Sequence, residues 1–374
     1  MDSLSQIVLG GAVAAAIAPS GHRRAALLAG AVLGTLPDLD SLPLMLLTDD
    51  PVSLMTLHRS LSHSLFVLPL VGWLLWWLFK RRGRRVAEAP GRWFWAIQLA
   101  LFTHPLLDAF TVYGTQLLWP LPMPPVMWSS VFIIDPLYTV WLLLACIVAW
   151  FARGARLAQH ALVAGLALSS AYLGWSLLAK GLVEREADRA LAAIGLDQAP
   201  RFSVPMPLNT LLWRVVAMTP DGYVIGDRSL AADRGPMEFR GYRSNVQALA
   251  EARGLRSVRR LGWFNRGFMR ARVEQGTLVL SDLRMGLEPD YAFSFAVATR
   301  HGARWLAIPP RQLRSAYRPP VASGGWRDAL GELWRRIWNP AQVDTAGHAP
   351  GTAAPALACR PAATPTLSPT AARC

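Results

Sequence analysis

Residues 93–110 read WFWAIQLALFTHPLLDAF. The stretch is apolar and close to the roughly 20 residues a helix needs to cross a bilayer. It nevertheless contains His104 and Asp108, four apart and so on one helical face, with Pro105 between them favouring a kink or a helix start. Polar side chains are costly in such a place, which makes them functional candidates by default.

Five more apolar runs surround this one: Leu4 to Ala18, Arg24 to Leu47 interrupted by Pro37, Ser62 to Phe79, Val131 to Phe151, and Leu157 to Ala179. The first is short for a span. Together they predict an α-helical multi-pass membrane domain of about six spans over residues 1–179. Composition agrees: 53% of the chain is hydrophobic and 17% charged, against about 25% charged in an ordinary soluble protein. The net charge of +14 is explained by Arg clusters between apolar runs and scattered Arg further on, not by a nucleic-acid-binding motif. Cys146, Cys359 and Cys374 form neither a disulfide framework nor a zinc-finger spacing. The start lacks the basic segment and cleavage site of a removable signal peptide.

Loop charge gives an orientation. His22, Arg23 and Arg24 follow the first run. Lys80, Arg81, Arg82, Arg84, Arg85 and Arg92 separate the third and fourth, and Arg153 and Arg156 the fifth and sixth. These are alternate loops, so all can face the cytoplasm together. Everything after Ala179 would then be extracytoplasmic, and long translocated domains tolerate positive charge.

Texture changes after Lys180. Residues 182–194 suggest an exposed helix. Leu211 to Met218, TPDG, and Tyr223 to Ile225 read as a hairpin. Gly276 to Leu280 and Tyr291 to Val297 read as strands, the latter by alternation of large and small residues. Residues 325–338 suggest an amphipathic helix. The expectation is a small soluble α+β domain over 180–338, then a disordered Ala/Pro/Thr-rich tail over 339–374.

Four polar clusters mark the ends of the apolar runs: Asp38 and Asp40 in PDLD, His58 to Ser64 in HRSLSHS, His104 and Asp108 in HPLLD, and Asp135 before Pro136. The orientation derived from Arg and Lys places all four at one membrane face. Imidazole and carboxylate are the ligands that borderline divalent metals take. Each cluster has a plainer reading by itself. HxxxD is a common helical pair, PDxD a helix stop, Arg59 a side chain reaching for headgroups, and Asp135 a helix cap. Their convergence on one face is what points to a metal site.

At these residues the chain resembles the YdjM-like family of inner-membrane metal-dependent hydrolases. The matching segments, in order, are MDSLSQIVLG, GTLPDLD, LHRSLSHS, THPLLDAFTVYGTQLLWP and SSVFIIDPLY. The later segments PLNTLLWRVVAM, RLGWFNRGF and SDLRMGLEPDYAF look similar to a C-terminal extension in one branch of that family. The resemblance implies a bacterial-type inner membrane location and a divalent metal held by Asp38, Asp40, His58, His63, His104 and Asp108. Family members are also described as LexA-binding. Many relatives have a His shortly after the start where this chain has Gln6, which would leave the site one ligand short.

The chemistry to expect is hydrolysis assisted by Zn²⁺ or Mn²⁺. Asp40 or Asp135 would be the general base, and Arg59 would neutralise a phosphate. Position near the membrane boundary points to a lipid-linked or amphipathic phosphoester. The alternative is a non-catalytic binding or regulatory membrane protein with a structural metal. Expected partners are membrane lipids and, through the C-terminal domain, a protein.

Overall fold

The structure is a computed structural model and describes residues 1–152, 154–313 and 326–340. Arg153, residues 314–325 and residues 341–374 lie outside it, and with them the expected tail beyond its first two residues, including Cys359 and Cys374.

The first part is helical. It runs α1 (Ser3–Ile17), α2 (Arg23–Thr35), a 3-10 turn (Leu36–Asp40), α3 (Ser41–Leu47), α4 (Pro51–Leu57) and a second 3-10 turn (Leu61–His63). Then come α5 (Leu68–Arg82), α6 (Arg84–Glu88), α7 (Pro90–Ala109), α8 (Pro136–Ala152) and α9 (Arg156–Ala193). Antiparallel packing of α1 on α2 depends on glycine. A Cβ on Gly30 would overlap the Gly10 carbonyl, and one on Gly34 that of Gln6. Such small-residue contacts let helix backbones approach closely in apolar surroundings.

The six expected spans reduce to fewer. Among the described residues, two helical stretches are long and apolar enough to cross a membrane, Ser20–Leu47 and Arg156–Ala193. A third arises if Pro51–His63 and Leu68–Arg82, bent by 56° at their junction, count as one broken span. The reasons are physical. α1 has 15 residues and α8 has 17, or about 22 and 26 Å of helix against a hydrocarbon core of about 30 Å. α7 has 20 residues, but Arg92, Gln98, His104 and Asp108 lower its hydropathy. The separate exposed helix expected over 182–194 is instead the last part of α9, which runs unbroken for 38 residues.

The basic segments meet at one end of this helical part. Arg92 Nε donates to the Ile17 carbonyl (2.7 Å), Arg24 Nε to the Trp150 carbonyl (2.8 Å), and Arg23 Nη2 to Gln159 (2.8 Å). His22 pairs with Glu88 (2.9 Å). The His and Asp clusters occupy the opposite ends of α2, α5 and α7.

The remainder is rich in β-sheet. Strands β1 (Arg201–Pro205), β2 (Leu212–Thr219), β3 (Gly222–Ser229) and β4 (Arg240–Arg243) form an antiparallel meander in that order. After α10 (Val246–Ala252) and α11 (Arg256–Phe264) come β5 (Met269–Glu274), β6 (Thr277–Asp282), β7 (Gly286–Leu287), β8 (Asp290–Tyr291), β9 (Ser294–His301) and β10 (Arg304–Leu313). The second sheet has the order β10-β9-β6-β5, and β7 pairs with β8. Helix α12 (Trp326–Trp338) follows. The TPDG turn joins β2 and β3 as expected, with Leu212 facing Ser229 and Thr219 facing Gly222.

Two features fasten the β-rich part to the helices. The end of α9 packs Ala179, Val183, Ala187 and Ala190 against Trp213 and Val215 of β2 and against Met237. Val52, Met55, Val112 and Tyr113 share one apolar core with Phe264, Phe268, Leu280 and Phe295.

Candidate metal centre

Backbone geometry brings four side chains to one point. The 3-10 turn that Pro37 imposes after α2 presents Asp38. The second 3-10 turn presents His63 just before α5. The last turn and a half of α7 presents His104 and Asp108 from one face.

His63 Nε2 and His104 Nε2 are 3.1 Å apart. Asp38 Oδ1 lies 3.4 Å from each of them. Asp108 Oδ2 lies 3.3 Å from His63 Nε2 and 3.6 Å from His104 Nε2. All four donor atoms fall within 4.8 Å of one another. His63, His104 and Asp108 are fully buried, whereas the Asp38 side chain is 26% exposed and marks the open side.

The outer hydrogen bonds fix the tautomers. His104 Nδ1 faces the Gly34 carbonyl at 2.5 Å, so this nitrogen carries the proton and Nε2 keeps its lone pair. Ser62 Oγ gives its one hydrogen to Asp40 Oδ2 (2.6 Å) and therefore accepts from His63 Nδ1 (2.9 Å). His63 Nε2 is thus also bare. Asp38 Oδ1 and Asp108 Oδ2 have no hydrogen-bond partner among the described residues. Two imidazole lone pairs and two carboxylate oxygens converge, an arrangement that repels itself unless a cation sits among them. An ion with tetrahedral bonds of about 2.0–2.1 Å holds its ligands about 3.3 Å apart, and the five separations of 3.1–3.6 Å are of that size. On the Asp108 side the Arg59 guanidinium, with Nε 3.0 Å from Oδ2, already offsets part of this repulsion.

The remaining sequence candidates stand around this set. His58 and Asp40 are not in the four-residue group. His58 Nδ1 bonds Asp40 Oδ1 (2.7 Å), and His58 Nε2 points back to Asp38 Oδ1 at 3.9 Å. Asp40 is saturated, since its other oxygen accepts from Ser62 Oγ and from the Arg59 backbone N–H (3.2 Å). The Arg59 guanidinium lies beside the cluster, with Nε 3.0 Å from Asp108 Oδ2.

Asp135 is engaged elsewhere. It caps α8 through the Leu137 and Tyr138 N–H groups (3.1 and 3.3 Å) and accepts from Tyr172 Oη (2.9 Å). That is the plain capping role, and none of these partners belongs to the cluster. Gln6 Nε2 donates to Asp108 Oδ1 (3.0 Å) and to the His104 carbonyl (3.3 Å), and the Met1 amine also contacts Asp108 Oδ1. Gln6 therefore supports two of the four residues from behind.

Sequence reasoning missed Tyr113, whose ring packs edge-on to His58 with centroids 5.8 Å apart. The segment THPLLDAFTVYG extends to this residue, which was the available signal.

The fold and the site together describe a membrane-type helical protein with a buried His/Asp cluster. Residues 1–183, just under half of the chain, match the family described as YdjM inner membrane protein. The match stops before β1, so the β-rich part lies outside it. No curated protein and no solved structure matches the chain.

Proposed function

We propose that the chain is a membrane-embedded, metal-dependent hydrolase of a lipid-linked or amphipathic phosphoester. The observation that carries this reading is the pair of Nε2 atoms 3.1 Å apart, each within 3.6 Å of a carboxylate oxygen of both Asp38 and Asp108. Asp38, His63, His104 and Asp108 would hold the ion. Bound there, Zn²⁺ or Mn²⁺ would supply Lewis acidity and a more acidic water.

The chain's own residues account for the rest. His58 Nδ1 is held by Asp40 Oδ1 (2.7 Å), which leaves Nε2 on the side of Asp38. His58 is thus the group placed to move a proton, with Asp40 orienting it. Arg59 supplies positive charge for a phosphate. Leu39 (51% exposed), Leu42 (61%), Leu61 (52%) and Phe66 (52%) belong to the turns and helix ends that carry Asp38 and His63. A substrate approaching that side meets hydrocarbon before it meets the polar cluster, which suits an amphipath. The basic end of the bundle would face the cytoplasm, and the cluster and the β-rich part the opposite side.

A second reading has its own support. Four protein side chains are enough to fill a tetrahedral shell and leave no open position, as in structural zinc sites. Metal analysis of purified wild type, His63→Ala and Asp108→Ala tests both readings. About one equivalent in wild type and little in either variant is expected. Near-zero metal in all three proteins ends the metal reading. Metal with no turnover across a panel of soluble and long-chain phosphoesters selects the structural role.

A further inference from the structure

Tyr113 joins two parts of the chain that the family match separates. On one side its ring lies under the Arg59 guanidinium, 4.8 Å from centroid to carbon, and packs edge-on to His58. On the other side the ring packs edge-on to Phe264 of α11 (5.5 Å) and to Phe293 (6.0 Å), both in the β-rich part. Its hydroxyl donates to the Met55 carbonyl (2.7 Å). Its own carbonyl accepts from Arg284 Nη1 (2.9 Å). Arg284 is itself immobilised, since Asp282 grips its Nε and Nη2 (2.9 and 2.6 Å).

Arg59 needs such support. Its backbone is left-handed, φ 61°, a region non-glycine residues seldom adopt. Such conformations persist when surrounding contacts over-determine them. Here the backbone N–H bonds Asp40 and the carbonyl accepts from Gln116 N (3.0 Å). The guanidinium is held between Asp108, Thr111 (3.4 Å) and the Tyr113 ring.

We infer that the β-rich part is a positioning element of the candidate centre: Arg284 and Phe264 fix Tyr113, and Tyr113 fixes the Arg59 guanidinium beside Asp108. This assigns a role to the region beyond residue 183 and does not require the cluster to hold metal. It also explains why a loop between two helices shares its apolar core with a β-sheet. A plainer role, in which Tyr113 only fills space, predicts no selective effect on Arg59.

The test is arginine labelling with phenylglyoxal on the full chain in detergent, quantified peptide by peptide by mass spectrometry. Wild-type Arg59, with a side chain 8% exposed, should react slowly. Tyr113→Leu should raise its rate about tenfold, the scale of a lost cation–π contact. Arg284→Gln should act in the same direction. Tyr113→Phe keeps the ring and should behave as wild type. Arg214, paired with Asp227 at 2.8 Å, reports general loosening and should not change. If Tyr113→Leu loosens Arg214 as well, Arg284→Gln decides. Wild-type rates at Arg59 in both variants overturn the inference. Equal acceleration by Tyr113→Phe, or loosening of Arg214 in both variants, overturns it as well.

Discussion

Two of the buried acid–base groupings among the described residues are built to opposite rules. In the β-rich part, Asp282 and Arg284 are each 1% exposed and complete: a bidentate pair, with the spare guanidinium N–H given to the Tyr113 carbonyl. In the helical part, Asp38, His63, His104 and Asp108 are less complete: Arg59 and the Met1 amine reach Asp108, but Asp38 Oδ1 is buried without a hydrogen-bond partner among the described residues. A closed set of this kind holds the fold on its own. An open set depends on something arriving from outside. The difference separates a structural pair from a candidate site without reference to any relative.

Three measurements sharpen or break the contrast. The largest effect is expected in the closed set. Arg284→Met strands the Asp282 carboxylate, and breaking a buried pair this way costs about 3–5 kcal/mol. Thermal unfolding in detergent should show a large loss that added metal does not restore. A loss below about 1 kcal/mol would mean that the pair is not closed in the sense argued.

Next is the open set. A chelator should lower the stability of metal-loaded wild type by about 2.7 kcal/mol, if metal had been present at about a hundred times its dissociation constant. Asp108→Ala should not respond. Equal responses in both proteins would place the metal elsewhere.

The smallest effect belongs to the support of the open set. Gln6→Ala removes a donor to Asp108, and outer-sphere changes of this type weaken metal binding about tenfold or more. Competition with a chromophoric chelator reads it. Unchanged affinity would show that Gln6 is idle there.

Much of the helical part was legible because hydropathy is a local property. Run positions were close, as with Ser62 to Phe79 against α5 at Leu68–Arg82. Whether a run spans was not legible. That depends on where a helix stops, and α1 and α8 stop short while α9 continues past its apolar stretch into the β-rich part. The convergence of Asp38, His63, His104 and Asp108 could be anticipated from alternating loop charge. The division of labour around them could not. His58 and Asp40 looked equivalent to the others until Ser62 Oγ and the Arg59 N–H were seen to occupy Asp40. Likewise Asp135 beside Pro136 carries the same residue type as the cluster, but its Oδ1 caps α8 and its Oδ2 accepts from Tyr172. In the β-rich part the TPDG hairpin was readable, since its turn residues are adjacent. β1, β5 and β10 were not, although each pairs with its neighbour in sequence: β1 has only five residues, β5 is half charged, and β10 contains Pro309 and Pro310.

Helix α9 has a mechanical consequence. At 38 residues it is about 57 Å long, nearly twice the thickness of a hydrocarbon core. It therefore acts as a stiff mast, with its upper third clamped to β1 where Lys180 Nζ meets the Ser203 carbonyl at 3.0 Å. One residue added below that clamp would swing everything mounted on it by about 100° and lift it about 1.5 Å. The mast therefore tolerates changes of length only in steps near a whole turn.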